Sequence, residues 1–271
     1  MKKNAPPVPG TFCWIELGTT DPAGAMRFYG QLFGWTGAPS PAGAGESCAA
    51  GGIAYTIFRL RDREIAGLYN LQKEQLAQGV PPHWLAYVAV ADADAATARA
   101  KELGGTVVLG PLDVMDLGRM SLLQDPTGAW FALWQARRHR GMELAGELGT
   151  TCWFELMTRD VDVAGDFYAA LFGWDRKTQD MGPLVYTIFE LGGQPAGGMM
   201  AITPEMGELP SHWMIYVSVA DCDADAQRVP GLGGRICFPP TDVPGVGRFA
   251  VLADPAGAAI AIIRLAAACG Q

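Results

Sequence analysis

The sequence predicts an α+β fold made of two tandem domains, each built from a pair of βαβββ modules. Two observations support this prediction. The chain repeats itself over its whole length, and within each half the order of strand-like and helix-like segments repeats again. Internal repeats are examined first because overlooking one leads to the wrong fold.

The long repeat is visible residue by residue. Gly10–Leu17 returns as Gly149–Leu156, 139 residues later, and the pair His83-Trp84 returns 129 residues later as His212-Trp213. The separation shortens because the first copy carries a longer Gly-, Ala-, Ser- and Pro-rich segment over 36–51, which we predict to be a loop. The repeat predicts a first domain over residues 8–135, a linker over 136–148 and a second domain over 149–266.

The elements of the first half follow from local patterns. Asp21 is placed to cap a helix that has Pro22 in its first turn and ends at Gly34. A second helix begins at Asp92 and ends at Leu103, before two glycines. Alternating apolar residues between turn signals predict the strands, at 12–19, 55–60, 65–71, 83–90, 106–109, 119–124 and 129–134.

Composition limits the classes of partner. Apolar residues make up 49% of the chain, and 28 Asp and Glu outnumber 20 Lys and Arg, for a formal charge of −8. This composition is typical of a folded globular protein and lacks the basic surface that nucleic acids or anionic membranes require. Six cysteines without a C-x-x-C motif indicate reduced, mostly buried thiols. We therefore expect a cytoplasmic protein without a nucleic-acid or membrane partner.

Several repeated motifs resemble one known family. They are Phe28-Tyr29 followed by Leu32–Trp35, the strand-to-helix turn Val90–Asp92, and the turn Asp125–Gly128, each present again in the second half. These motifs resemble the vicinal oxygen chelate superfamily, which includes glyoxalase I, bleomycin-resistance proteins and extradiol dioxygenases. More narrowly, the chain is similar to the tandem glyoxalase-like proteins of bacteria. The resemblance implies an incomplete barrel in each domain, around one small-molecule site.

The resemblance also implies where a metal would be held. Metal-using members carry a His, Gln or Glu seven residues before each helix-capping Asp, and a Glu on the last strand of each module. Here those positions hold residues without a suitable donor: Trp14, Leu85, Trp153, Met214, Ala132 and Ala261. We therefore expect no cofactor, while a divalent metal at a non-standard site is kept as an alternative.

Strand alternation predicts which side chains line the cavities. If the usual ligand positions face inward, Glu16 and His83 do so as well, and Glu155 and His212 repeat them in the second half. These four are the candidate catalytic residues. The candidate ligand-binding residues are Trp14, Leu85, Tyr87, Arg119, Trp130, Trp153, Met214, Tyr216 and Arg248.

Each polar candidate also has a plainer explanation. The two glutamates could be general bases with raised pKa values, or they could form salt bridges with Arg119 and Arg248. These arginines could hold an anionic substrate or belong to ordinary ion pairs. The strand histidines could act on a ligand or simply bond the backbone. We expect His139, in the linker, to be solvated.

These observations favour a small-molecule-binding protein with aromatic-lined cavities whose usual metal positions are lost. An apolar or aromatic metabolite is the expected ligand. The alternative is an enzyme, a lyase, isomerase or oxygenase that uses a non-standard Glu/His site. A third hypothesis is a scaffold for protein contacts. Because the two domains share one chain, a monomer or a homodimer is expected.

Overall fold

A computed structural model describes residues 6–40, 55–180 and 185–266. In the first half the elements are β1 (Phe12–Thr19), α1 (Pro22–Phe33), β2 (Thr36–Pro39), β3 (Tyr55–Leu60), β4 (Arg63–Asn70), α2 (Lys73–Ala77), β5 (His83–Ala89), α3 (Ala93–Glu102), β6 (Thr106–Val114), β7 (Gly118–Gln124) and β8 (Trp130–Ala136). The second half continues with β9 (Thr151–Thr158), α4 (Val161–Phe172), β10 (Asp175–Asp180), β11 (Val185–Leu191), β12 (Gln194–Ala201), β13 (His212–Ser218), α5 (Cys222–Arg228), β14 (Arg235–Val243), β15 (Gly247–Ala253) and β16 (Ala259–Leu265).

The helix ends are set by the residues that the sequence indicates. The Asp21 carboxylate accepts a hydrogen bond from the Gly24 N–H at 2.8 Å, and Pro22 occupies the first turn of α1. Gly34 ends that helix with a φ of 76°, in the left-handed region where a side chain is strained. Asp160 and Gly173 do the same for α4. Among the described helices, none is long and apolar enough to cross a membrane.

The strands form two open eight-stranded sheets, with the orders β2-β3-β4-β1-β5-β8-β7-β6 and β10-β11-β12-β9-β13-β16-β15-β14. Strands β1 and β4 run parallel, with Glu16 opposite Gly67. Strands β9 and β12 repeat this pairing, with Glu155 opposite Gly198. The predicted α+β class with repeated βαβββ modules is confirmed.

Several elements differ from the prediction. Strand β2 lies at the start of the segment predicted as a loop, whose residues 41–51 are outside the described ranges. It lies at the edge of the sheet, beside β3, and its Gly- and Pro-containing sequence has no alternating pattern. Helix α2 has five residues, too few to show a helical period. Strand β6 continues past Leu109 because register shifts accommodate Gly110 and Pro111.

The chain divides into two compact units, and the boundaries of these units do not coincide with those of the two sequence repeats. Unit 1 comprises Met1–Trp14, Leu85–Gly141 and Trp153–Met214, and unit 2 comprises Ile15–Trp84, Met142–Cys152 and Ile215–Gln271. Each unit therefore takes one module from each half of the sequence. The domain boundaries at 8–135 and 149–266, which follow the repeat, stay a prediction.

The core of unit 2 is organised around a buried tyrosine. The Tyr29 hydroxyl accepts a hydrogen bond from Trp84 Nε1 at 2.9 Å and donates one to Asp254 at 3.2 Å. The Asp254 carboxylate also accepts from three backbone N–H groups of its own turn. Six rings pack in this cluster: Phe28, Tyr29, Phe33, Trp35, Phe58 and Trp84.

Unit 1 has the matching core. Trp213 Nε1 donates to the Tyr168 hydroxyl at 2.8 Å, and Trp174 Nε1 donates to the Gly10 carbonyl at 2.8 Å. Burial, together with the charge of Asp125, raises the pKa of Tyr168. The rings that pack here are Tyr168, Phe172, Trp174, Phe189 and Trp213. The repeated aromatic motifs are thus largely core residues.

The described cysteines are free thiols. Cys13 and Cys222 are buried, as expected, and burial raises the pKa of the Cys13 thiol to about 12. Cys152 is partly buried, whereas Cys237 is exposed on β14. Cys48 and Cys269 lie outside the described residues.

Candidate functional site

The two glutamates occupy the same position in the two repeats. Glu16 lies on β1 in unit 2, and Glu155 lies on β9 in unit 1, where it is 8% exposed. The neighbouring Ile15 and Leu17 point to the opposite face and are almost completely buried. This alternation is the one that the sequence predicts.

In unit 1, Glu155 belongs to a chain of three side chains. Trp153 Nε1 donates a hydrogen bond to the Tyr186 hydroxyl at 2.9 Å. That hydroxyl in turn donates to the Glu155 carboxylate. Burial, followed by the charge of Glu155, raises the pKa of Tyr186 well above its ordinary value. The buried carboxylate therefore has an internal donor, which offsets the cost of its burial.

Gly198 makes this chain of contacts possible. A Cβ at this position would overlap the Tyr186 hydroxyl and would stand 3.0 Å from Trp153 Nε1. Gly198 is the parallel partner of Glu155, so the absent side chain leaves room beside the carboxylate. The Tyr186 hydroxyl fills that space.

In unit 2, Tyr69 lies near Glu16. Tyr69, on β4, is the parallel partner of Gly18. A Cβ on Gly18 would stand 2.8 Å from the Tyr69 hydroxyl and 3.1 Å from His83 Cε1. Gln75 Nε2 contacts the same hydroxyl at 3.5 Å. Burial, and then the charge of Glu16, raise the pKa of Tyr69 to about 12.

Both strand histidines bond the backbone through the same ring atom. His83 Nδ1 lies 2.8 Å from the Pro81 carbonyl, and His212 Nδ1 lies 2.8 Å from the Pro210 carbonyl. Because a carbonyl only accepts, Nδ1 carries the proton and Nε2 carries the lone pair in the neutral ring. Burial lowers the pKa of His212, so this ring is neutral at pH 7.

The two candidate arginines belong to ion pairs with aspartates. Arg119 makes two bonds to Asp94, at 2.7 and 2.9 Å, and one to Asp113 at 3.0 Å. These hydrogen bonds hold the pKa of Asp94 below its ordinary value. Arg248 bonds Asp223 in the same two-pronged way, at 2.7 and 2.9 Å. One of the two alternatives for the glutamates was a salt bridge with these arginines; the structure pairs the arginines with aspartates, including Asp94 and Asp223 in the first turns of α3 and α5.

An apolar face lies on the outer strands of unit 1. Leu109, Leu122, Ala132 and Tyr87 follow one another across β6, β7, β8 and β5 in a single row. Trp130 belongs to the same face, two residues from Ala132, and is 41% exposed; Leu109 is 49% exposed. Ala132 and Tyr87 in this row are buried, so the exposed apolar side chains of the face are Trp130 and Leu109. Exposed apolar side chains of this kind can mark a ligand-binding surface.

The ring of Trp14 is covered by the segment that follows β8. His139 packs edge-on against Trp14 with ring centroids 4.4 Å apart, and it also contacts Trp134 at 5.7 Å. Trp14 is only 3% exposed. His139, which we expected to be solvated, is only partly exposed, because its ring packs against two tryptophans. Of the other candidates in this unit, Leu85 and Met214 are also buried.

Unit 2 has a smaller aromatic face. Tyr216 lies 6.1 Å from Phe249, which stacks on Phe238 at 5.4 Å between ring centroids. Phe238 is 43% exposed, on strand β14. The two phenylalanines escaped the sequence analysis because only β9 and β13 were assigned faces in the second half.

The positions that the family resemblance marks as metal ligands carry side chains without oxygen or imidazole donors. In the described ranges no three His, Cys, Asp or Glu side chains are grouped closely enough to bind an ion. Tryptophan, leucine, methionine and alanine stand at the usual ligand positions. None of these residues supplies the oxygen or imidazole donors that such metals need.

Tyr69 and Tyr186 are the main residues that the sequence analysis missed. Tyr186 begins the motif Tyr186–Phe189, which repeats Tyr55–Phe58. This motif helps to align the two halves, but it does not indicate which side chain the tyrosine hydroxyl contacts. Tyr69 could have been found from the strand period, since it lies two residues beyond the glycine opposite Glu16. The parallel register itself could not be read from the sequence.

Comparison with known proteins agrees with this architecture. The family model described as Glyoxalase/Bleomycin resistance protein/Dioxygenase superfamily matches residues 11–133 and 134–262. A protein named putative glyoxylase CFP32 from Mycobacterium tuberculosis is 38% identical over 256 residues, 94% of this chain and 95% of the relative. Anthracycline biosynthesis protein DnrV from Streptomyces peucetius is 34% identical over 270 residues, 95% and 94% of the two chains.

Solved structures share the fold at low sequence identity. A Mn(II)-bound glyoxalase from Novosphingobium aromaticivorans aligns with a TM-score of 0.61 at 15% identity, covering 94% of this chain and 82% of that one. An extradiol ring-cleaving dioxygenase from B. fuscum aligns with a TM-score of 0.59 at 17% identity, covering 100% and 76%. The family match spans nearly the whole sequence in two tandem segments, and the chain belongs to the glyoxalase/bleomycin resistance protein/dioxygenase superfamily.

Proposed function

We propose that this protein binds a small apolar or aromatic molecule, without a metal, on the sheet faces that carry its exposed aromatic residues. The observation that carries the proposal is the apolar face of unit 1, on which Trp130 and Leu109, on strands β8 and β6, are both more than 40% exposed. Apolar faces with a few polar groups nearby are typical of small-molecule sites.

Two further observations support this function. The usual metal positions hold apolar side chains, so binding through a coordinated ion has no donors at those places. The relatives are named as a putative glyoxylase and as a protein of anthracycline biosynthesis, and both names point to small organic molecules. The alternative of a Glu/His enzyme stays a prediction.

The test measures binding of a neutral aromatic probe, 2-phenylethanol, by ligand-observed NMR before and after treatment with EDTA. We expect binding that EDTA does not change. Trp130→Ala should weaken it, whereas Val246→Ala, which removes an equally exposed apolar residue from the turn after β14, should not. Absence of binding at millimolar probe, or its loss with EDTA, would contradict the proposal.

A further inference from the structure

We infer that unit 2 has a further ligand site, a cleft that binds a small neutral molecule with an aliphatic body and a hydroxyl group. The cleft has a volume of about 580 Å³, which is within the range typical of small-molecule sites. Its lining comes from the end of α1, the turn between β3 and β4, the segment before β9, the end of β13 and α5. The residues of the exposed sheet faces do not line it, so this site is separate from the proposed function.

The walls of the cleft are mainly aliphatic. Five apolar residues form them: Leu32, Phe33, Leu60, Leu148 and Val219. An apolar ligand body that covers these side chains removes them from water, which favours binding.

Leu148 is 59% exposed although its backbone belongs to an ordered turn. The Glu147 N–H donates to the Thr150 hydroxyl at 2.9 Å, and the Gly149 N–H donates to the Ser218 carbonyl at 2.8 Å. The turn therefore holds an apolar side chain at the cleft and in contact with water. A ligand that covers Leu148 does not have to order this segment first.

Ser218 supplies a hydrogen-bonding group to the cleft. It is the last residue of β13, is 7% exposed and lines the cleft. Its backbone groups bond Gly149 and Thr150, whereas its hydroxyl has no hydrogen-bond partner among the described residues. A hydroxyl both donates and accepts, so a ligand hydroxyl can pair with it. Because a polar group buried without a partner is costly, a ligand that supplies the partner gains affinity.

The charged residues of the cleft are already paired. Arg61 Nη2 lies 2.7 Å from the Glu147 carboxylate, and Arg228 Nη1 lies 2.8 Å from the Asp225 carboxylate. A charged ligand would therefore meet a group of its own sign next to each group of the opposite sign. This arrangement favours a neutral ligand.

The other copy of the repeat lacks these polar side chains. The residues at the corresponding positions are glycine or apolar: Gly192 for Arg61, Val8 for Glu147, Ala89 for Ser218 and Ala96 for Asp225. The backbone arrangement is nevertheless the same, because the Gly10 N–H donates to the Ala89 carbonyl at 2.8 Å, as the Gly149 N–H does to the Ser218 carbonyl. The fold does not require the polar lining, which favours a role in binding.

The experiment follows two indole N–H resonances of the whole protein by NMR while 1-hexanol is added at millimolar concentrations. Trp35 Nε1 donates to the Gly149 carbonyl at 2.7 Å, so its resonance reports on the backbone of the cleft. Trp174 Nε1 donates to the Gly10 carbonyl at 2.8 Å, at the equivalent place in unit 1. We expect a saturable shift of the Trp35 resonance and an unchanged Trp174 resonance.

Hexylamine and hexanoate test whether the site prefers a neutral ligand. Each should bind at least ~3-fold more weakly than 1-hexanol, because a charged head group loses water without gaining an unpaired counter-charge. Tighter binding of either charged probe than of 1-hexanol would overturn the assignment of a neutral ligand.

Two variants test the residues of the cleft. Ser218→Ala removes the hydroxyl and should weaken 1-hexanol binding about 3- to 10-fold, the effect of one hydrogen bond. Leu148→Ser removes apolar contact and should weaken binding by a factor of about 3 to 10. Leu265→Ser is the matched control and should not change binding, because this leucine of unit 2 is 50% exposed and does not line the cleft. An unchanged Trp174 resonance shows that each variant is folded.

These outcomes are separate from those of the proposed function. A saturable shift of Trp35 that both Ser218→Ala and Leu148→Ser weaken would support the cleft as a binding site. The inference is wrong if the Trp35 resonance does not shift, if both indoles shift equally, or if either variant binds 1-hexanol like the wild type. Each of these results leaves the binding of 2-phenylethanol on the sheet faces to its own test.

Discussion

Glu16 and Glu155 occupy the same position in two copies of one repeat, yet Tyr69, which lies near Glu16 on β4, is replaced by Met200 on β12 in the second copy. Near Glu155 lies Tyr186, on β11. Both tyrosines titrate above their ordinary range, chiefly because of burial and then because of the adjacent carboxylate. Tyr186 also accepts the indole N–H of Trp153.

The comparison shows how a duplicated fold can keep a charge and change its surroundings. Neighbouring strands of a sheet present side chains on the same face, so a partner for a strand residue can come from more than one strand. Gly18 and Gly198 each leave a gap, and in each unit a different tyrosine fills it. Four predictions test this difference, from the largest expected effect to the smallest.

The largest effect is expected from Gly198→Ala. The new Cβ would overlap the Tyr186 hydroxyl, and the tyrosine would have to leave both Glu155 and Trp153. We expect a loss of about 2–4 kcal/mol in the free energy of unfolding, from crowding and from lost hydrogen bonds. Urea denaturation measures it. Gly18→Ala is the control, with a loss of about 1 kcal/mol, because its Cβ would stand 2.8 Å from the Tyr69 hydroxyl rather than overlapping a hydroxyl as at Gly198. Equal losses would contradict the comparison.

Tyr186→Phe should cost more than Tyr69→Phe. Removing the Tyr186 hydroxyl leaves the Trp153 N–H and the Glu155 carboxylate without a shared partner, at a cost of about 1–3 kcal/mol. The Tyr69 hydroxyl has a long contact to Gln75, so its removal should cost about 0.5–1 kcal/mol. Urea denaturation of the two variants measures both losses. A larger loss for Tyr69→Phe than for Tyr186→Phe would contradict this prediction.

The stability of the protein should fall as the pH is lowered below about 6.5, the ordinary histidine pKa. Burial lowers the pKa of His212 in the folded state, so below that pH the unfolded chain binds the extra proton first. This contribution to stability is fully present above pH 6.5 and is lost as the pH falls. Thermal unfolding at pH 7.5 and pH 5.5 should show a smaller difference for His212→Gln than for the wild type. Identical differences would contradict the assignment.

The smallest effect is a change in the titration of Tyr69. Its folded pKa of about 12 lies above the ordinary value near 10, so the protonated phenol contributes stability that is present below pH 10 and lost toward pH 12. Glu16→Gln removes a nearby negative charge and should lower the pKa of Tyr69. Absorbance of phenolate at alkaline pH, with Tyr69→Phe as the reference, measures it. Glu155→Gln should leave this titration unchanged.

The framework of the fold was predictable because it depends on local signals. Asp21, Pro22 and Gly34 define α1 by capping chemistry that needs no distant partner. The faces of β1 followed from a two-residue period, which placed Ile15 and Leu17 against the core and Glu16 on the other side. Edge strand β2, with Gly and Pro, carried no such period and was missed.

The site depended on information that local patterns do not contain. Which tyrosine meets which glutamate follows from strand register, and register between β1 and β4 is set by packing over a separation of about fifty residues. His139 was predicted to be solvated because its neighbours in sequence are polar, but its ring packs against Trp14 far along the chain. Arg119 forms ion pairs with Asp94 on α3 and with Asp113 on β6. The sequence alone does not indicate which carboxylates this arginine contacts.

The hydrogen bond from Tyr29 to Asp254 has a consequence for how the protein is made. These residues are 225 positions apart, so at ordinary rates of synthesis the tyrosine leaves the ribosome about 10–45 s before its acceptor exists. During that interval the aromatic cluster of unit 2 lacks the turn that completes it. A chain that stops after the first repeat would keep those rings without their partner. We therefore expect the first repeat alone to leave the core of unit 2 incomplete, instead of forming a smaller complete protein.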